Sequence, residues 1–131
     1  MKYLAVDYGT KRVGIALSDA EGLLAYPHSV LAAGKGLVQE VAELAKKEGI
    51  GTIVIGESRD LAGKPNPIMT KISAFSQELK KESTIPIVFE NEVLSSQEAD
   101  HAQGKDHLRD ARAAAIILQS YLDRVRGYDF G

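Results

Sequence analysis

Tyr3-Leu4-Ala5-Val6-Asp7-Tyr8-Gly9-Thr10-Lys11-Arg12-Val13-Gly14-Ile15-Ala16-Leu17-Ser18-Asp19 is the stretch on which the fold turns. Its first apolar run, residues 3–6, ends on a carboxylate, Asp7. The segment Tyr8-Gly9-Thr10-Lys11 then reverses the chain, and residues 12–17 supply a second apolar run. Short aliphatic and β-branched runs bounded by turn residues read as strands of a hairpin. A third run, residues 22–26, follows another turn, so the start of the chain predicts an antiparallel meander.

Beyond it the period changes. Leu37, Val38, Val41, Leu44 and Ala45 fall on one helical stripe that begins after Gly36 and stops at Gly49. Residues 52–55 are a β-branched strand, residues 57–66 a polar loop, and Ile68, Ile72, Phe75 and Leu79 mark a second amphipathic helix. Residues 85–89 predict another strand. Ser95-Ser96-Gln97-Glu98 has the spacing of a capping box for a short helix. Residues 107 to about 126 read as a long final helix with its apolar centre at 113–118. Strands first, then helix and strand in alternation, imply an α/β fold with a mixed sheet and helices packed on its faces.

The chain has 131 residues, 44% of them hydrophobic and 26% charged, which suits one globular domain over 1–131. It has no cysteine, which excludes disulfides, thiolate zinc sites and a cysteine nucleophile and fits a reducing, cytoplasmic setting. The amino terminus reaches Asp7 before any apolar stretch is long enough for a signal peptide or a span, so no membrane partner is expected. Sixteen Lys and Arg against eighteen Asp and Glu leave a net charge of −2. A strongly basic nonspecific nucleic-acid binder is thereby excluded, and any nucleic-acid contact must use a local patch.

Asp7 is delivered at the end of a strand beside Gly9, where backbone can approach a ligand. The local pattern admits two readings: a hard oxygen ligand for Mg2+ or Mn2+, or a side chain that caps the turn. Glu92, just past the strand at 85–89, and Asp110, early in the last helix, are further acids whose elements can pack beside the first strand. Three converging carboxylates repel unless a divalent cation holds them, and such a set suits phosphodiester cleavage. His107 lies three residues before Asp110, on its helix face, as a proton shuttle, a phosphate contact or simply an exposed polar residue. Lys11 and Arg12 lie in the turn beside Asp7, within reach of a phosphate backbone. Arg59 and Lys64 in the 57–66 loop would extend that patch if the loop touches substrate rather than merely connecting elements.

The segment from Val6 to Asp19 closely resembles the opening of the YqgF/RuvX family, described as Holliday-junction-resolvase-like and as nucleases for the small-subunit ribosomal RNA precursor. Asp110-Ala111-Arg112-Ala113-Ala114-Ala115-Ile116-Ile117-Leu118-Gln119-Ser120-Tyr121-Leu122 resembles the family's last helix, and Gly56 lies between the two blocks. The resemblance implies a ribonuclease H-like fold: a mixed five-stranded sheet, three antiparallel strands then two parallel, with helices on both faces. It also implies a divalent-metal-dependent hydrolase with Asp7, Glu92 and Asp110 as catalytic metal ligands. Its partners would be pre-rRNA or branched DNA and ribosomal particles, with the protein acting as a monomer or homodimer. The chain departs from the family pattern around the second acid, where Asn91-Glu92-Val93-Leu94-Ser95-Ser96 replaces Asp-Glu-Arg-Leu and two hydroxyl residues. Gly56-Glu57-Ser58-Arg59 likewise replaces Gly-Leu-Pro-Leu.

Two competing classes follow from the same residues. A non-catalytic nucleic-acid or ribosome-assembly module would keep the fold and has no need of three repelling acids. An Asp-x-Gly-Thr turn also opens the phosphate loop of the actin, Hsp70 and sugar-kinase superfamily, but those proteins pair two such domains around a nucleotide, and 131 residues hold one.

Overall fold

The computed structural model describes residues 1–57, 68–91 and 108–127. The opening stretch forms β1 (Tyr3–Tyr8) and β2 (Arg12–Ser18), paired antiparallel with Asp7 opposite Gly14. β3 (Ala25–Ala32) pairs antiparallel with β2, while β4 (Thr52–Glu57) and β5 (Ile87–Asn91) add in parallel on the far side of β1. The sheet order is β3-β2-β1-β4-β5. It is the mixed arrangement that strands followed by alternating helix and strand require.

Side chains alternate across the sheet, and the two faces hold different residues. Leu4, Val6, Val13, Ile15, Leu17, Ile53 and Ile55 face one side, where α1 (Leu37–Lys47) and α2 (Ile68–Glu82) bury Leu37, Val41, Ala45, Ile72, Phe75 and Leu79. Each of these aliphatic and aromatic side chains larger than alanine contributes roughly 1.5–3 kcal/mol by leaving water. The other face is made of smaller residues, Ala5 and Ala16 with Val54. α3 (Arg109–Val125) lays Ala114, Ile117, Leu118 and Leu122 on it. Small side chains on that face allow the helix to sit close to the backbone of the central strands.

β1 and β4 run on to Tyr8 and Glu57, residues expected in a turn and in the 57–66 loop, and two strands start later than expected. The third strand starts at Ala25, not at Gly22, because the Asp19 carboxylate accepts the Leu23 and Leu24 amides at 2.7 and 3.1 Å and holds that segment as a turn. Leu24 is accordingly exposed. β3 also runs through Pro27 to Ala32, which an edge strand permits: the register skips His28, pairing Ile15 with Ser29 and Ala16 with Pro27, and this bulge absorbs the missing amide. β5 starts two residues later than expected. Pro86 precedes it without an amide to donate, although its carbonyl accepts the Ile53 amide at 2.9 Å. The helix expected at 95–98 lies outside the described residues.

Candidate active site

Alternation along β1 puts Asp7 on the same face as Ala5, the face that α3 covers. What brings α3 to Asp7 is the glycine opposite it. A Cβ on Gly14 would lie 1.9 Å from the Asp110 carbonyl oxygen and 2.9 Å from the Ala111 nitrogen, so the first turn of α3 rests directly on the β2 backbone. Cross-strand partners have Cα atoms only about 5 Å apart, and Asp110 is therefore seated next to Asp7 across 103 residues of sequence. Asp110 also lies in the first turn of α3, where a carboxylate complements the helix dipole.

The turn that joins the two strands is shaped by Gly9, whose Cβ would lie 2.4 Å from the Arg12 carbonyl oxygen. The tight turn directs Arg12 back over the site: its Nε donates to Asp110 Oδ2 at 2.9 Å, with the Arg12 side chain 65% and the Asp110 side chain 32% exposed. An exposed pair of this kind adds little stability, about 0–1 kcal/mol. Its significance is positional, because a solvent-exposed cation occupies one carboxylate oxygen of the turn seated beside Asp7. Lys11 is exposed on the same turn, and its carbonyl accepts the Ala33 amide at 3.0 Å, tying the turn to the end of β3.

Of the residues singled out in the sequence, the structure brings together Asp7, Asp110 and Arg12, with Lys11 on the adjoining turn. Glu92, His107, Arg59 and Lys64 lie outside the described residues. Among the described residues, no three His, Asp or Glu side chains meet in one cluster. Glu90, on the same sheet face, is a structural acid: Ser120 Oγ donates to it at 3.2 Å and Arg124 pairs with it, the guanidinium lying 5.5 Å from the Tyr121 ring. Its helix partners are ten or more positions after Asp110, about 15 Å along the helix axis, so Glu90 anchors the far end of α3. The same end is held by Gln119, whose Oε1 accepts the Ala25 amide and whose Nε2 donates to the Leu23 carbonyl.

Sequence reasoning did not find the seat at Gly14. The available signal was a glycine inside an apolar strand, which marks close approach of another backbone.

The fold is similar to that of two resolvases. Thermus thermophilus RuvC in complex with a Holliday junction substrate superposes with a TM-score of 0.63 at 14% identity, covering 97% of this chain and 96% of that one. The fowlpox virus resolvase with its junction DNA superposes with a TM-score of 0.60, also at 14% identity, over 95% and 99%. An acid at the end of the central strand, beside the helix turn that bears a second acid, is thus set on a ribonuclease H-like scaffold, and the family match of the chain gives the class, that of hydrolytic nucleases. Residues 1–124 match the family described as "RuvX: Holliday junction resolvase", and the chain belongs to that family. Two relatives carry the name "Putative pre-16S rRNA nuclease". That of Maridesulfovibrio salexigens is 34% identical over 135 residues, covering 95% of this chain and all of the relative. That of Caldanaerobacter subterraneus subsp. tengcongensis is 33% identical, over 94% and 96%. No helix among the described residues is long and apolar enough to cross a membrane.

Proposed function

We propose that this nuclease acts on the ribosomal RNA precursor, processing the 5′ end of pre-16S rRNA in the cytoplasm, and that Asp7 and Asp110 hold the divalent cation, Mg2+ or Mn2+, on which cleavage depends. The observation that carries the assignment of the site is the seat of α3 on Gly14, which stacks the Asp110 turn against the strand pair that bears Asp7. Two carboxylates so placed fit a hard cation, whose charge relieves their repulsion. Glu92 supplies the third ligand by its match to the family motif. Pre-rRNA is favoured as substrate by the relatives named for it, which match this chain along nearly its whole length.

The chemistry supplied by the cation is activation of water for in-line attack and stabilisation of the departing oxygen. The chain's own residues do the rest. Asp7 and Asp110, fixed to a central strand and a seated helix turn, set the geometry. Arg12 exchanges Asp110 for a substrate phosphate, and Lys11 adds a second phosphate contact from the same turn. His107, Arg59 and Lys64 extend the substrate surface.

Cleavage of a labelled RNA spanning the 5′ end of the 16S precursor, beside a four-way DNA junction, tests this reading with and without Mn2+. The expected result is cation-dependent cutting of the RNA that is lost in Asp7→Asn, Asp110→Asn and Glu92→Gln. Preferential cutting of the junction would reassign the substrate to branched DNA. Absence of cutting on either would turn the reading to a non-catalytic assembly module.

A further inference from the structure

We infer that a small cleft between α1 and α2, opening beside Tyr8 at the same end of the sheet as Asp7, binds one unpaired base of the substrate strand. The inference rests on the nuclease reading and extends it from the bond that is cut to a neighbouring nucleotide. The cleft measures about 210 Å³ and is lined by Tyr8, Val38, Lys71, Ala74, Phe75 and Glu78, among others. That is smaller than the roughly 300–1,000 Å³ of sites for drug-sized ligands, and suits a single flat heterocycle.

Its position follows from β1. Asp7 and Tyr8 are consecutive, so their side chains leave the strand on opposite faces: Asp7 towards α3, Tyr8 towards α1 and α2. A strand held at Asp7 therefore reaches Tyr8 by crossing the end of the sheet, whose thickness with its side chains is roughly 10 Å. The cleft takes a base a short way along the strand from the scissile bond.

Its chemistry is that of a base-stacking site with two polar ends. The Tyr8 and Phe75 rings lie 5.4 Å apart at 47°. Phe75 is buried and braces Tyr8, which is half-buried. Stacking of a base on an aromatic ring is the standard means of holding single-stranded nucleic acid, whereas bases within a duplex keep their faces covered. Lys71 and Glu78 are exposed on the same face of α2, seven residues and so about 10 Å apart along the axis. Lys71 offers a cation for the phosphate that carries the base. Glu78, only loosely paired with Lys81 at 3.8 Å, offers an acceptor for an exocyclic amino group, as on cytosine. The occupant that satisfies both ends is an unpaired, amino-bearing base with its phosphate.

The test is binding without cleavage. In EDTA, a short fluorescein-labelled oligocytidylate and an abasic oligomer of equal length are titrated with full-length wild type, Ala74→Leu, Lys71→Ala and a remote control, Lys46→Ala. Ala74 is exposed on the cleft wall, so leucine fills the cleft from outside the core. Ala74→Leu is expected to weaken oligocytidylate binding about ten-fold and to leave abasic binding unchanged. Lys71→Ala weakens both and lowers the salt slope by about one, while Lys46→Ala leaves the base-dependent part intact. Should Ala74→Leu unfold, Tyr8→Phe and Tyr8→Leu replace it: phenylalanine keeps base-dependent affinity and leucine loses it. Wild type that binds both oligomers equally, or binds neither, overturns the proposal, as does unchanged affinity in the filled cleft. Because no cation is present, loss of cleavage in Asp7→Asn cannot imitate these outcomes, and the two readings fail separately.

Discussion

Replacing Gly14 with alanine puts a methyl group where the first turn of α3 rests. The new Cβ would stand 1.9 Å from the Asp110 carbonyl oxygen, 2.3 Å from its carbon and 2.9 Å from the Ala111 nitrogen. Ordinary contact begins at 3.4 Å, a shortfall of 1.5 Å at the oxygen. All three obstructing atoms are backbone, so no side chain can swing aside and the helix end itself must retreat. Overpacking of this kind costs about 1–3 kcal/mol. For a domain of this length each kcal/mol lowers Tm by roughly 3–5 °C, which gives a fall of about 3 °C at the lower end and about 15 °C at the upper. The consequence for function is larger, because the retreat carries Asp110 away from Asp7. Cation sites tolerate ligand displacements of about 0.2 Å, and misplacement by about 1 Å can reduce a rate about 100-fold. Thermal unfolding and Mn2+-dependent RNA cleavage, measured on the same preparation, are the assays. Expected are a Tm lower by several degrees and a rate about 100-fold lower, with neither restored by more Mn2+. A Gly14→Ala protein with wild-type Tm and wild-type rate would refute the seating of α3 on β2.

Further outcomes follow from other contacts. Arg12→Ala removes the cation that sits on Asp110; Mn2+ affinity measured by titration should rise a few-fold while nucleic-acid binding weakens, with a salt slope smaller by about one. Glu90→Gln removes the charge that Arg124 pairs with at the far end of α3, and denaturant unfolding should show a loss of about 1–2 kcal/mol. The backbone amides of Leu24 and Leu23 hold the Asp19 carboxyl below its ordinary range. A depressed folded pKa contributes stability above the unfolded value, near 3.9, that is lost as pH falls through the folded one. The Tm difference between wild type and Asp19→Ala should therefore be full at pH 7 and shrink below about pH 4.

The legible parts of the fold were those governed by local pattern. β1, β2 and α1 follow from alternation, from Gly9 in the turn and from the glycines that bracket the helix: Gly36 is its N-cap at φ 88° and Gly49 follows it at φ 67°. β3 and β5 were displaced because apolarity at Leu23, Leu24 and Ile85 outweighed the turn chemistry of Asp19 and the missing amide of Pro86. Asp7 was visible as an acid at a strand end. Asp110 was expected beside it, from the resemblance and from a helix able to pack against the first strand, but the seat was not visible, since it depends on the packing of α3 over Gly14 and on no spacing in the chain. Arg12 was read as a phosphate contact, and its pairing with Asp110 is a product of the fold. The cleft beside Tyr8 was equally hidden, because it needs two helices that only the sheet brings together.

The proposed chemistry requires that Asp7 and Asp110 together hold a divalent cation. Calorimetric titration of Mn2+ into the nucleic-acid-free protein, wild type against Asp7→Asn and Asp110→Asn, tests it most directly, with Tm in EDTA as the check on folding. Expected is a binding isotherm in wild type that both substitutions abolish while Tm stays within a few degrees. Unchanged Mn2+ affinity in either folded variant would contradict it.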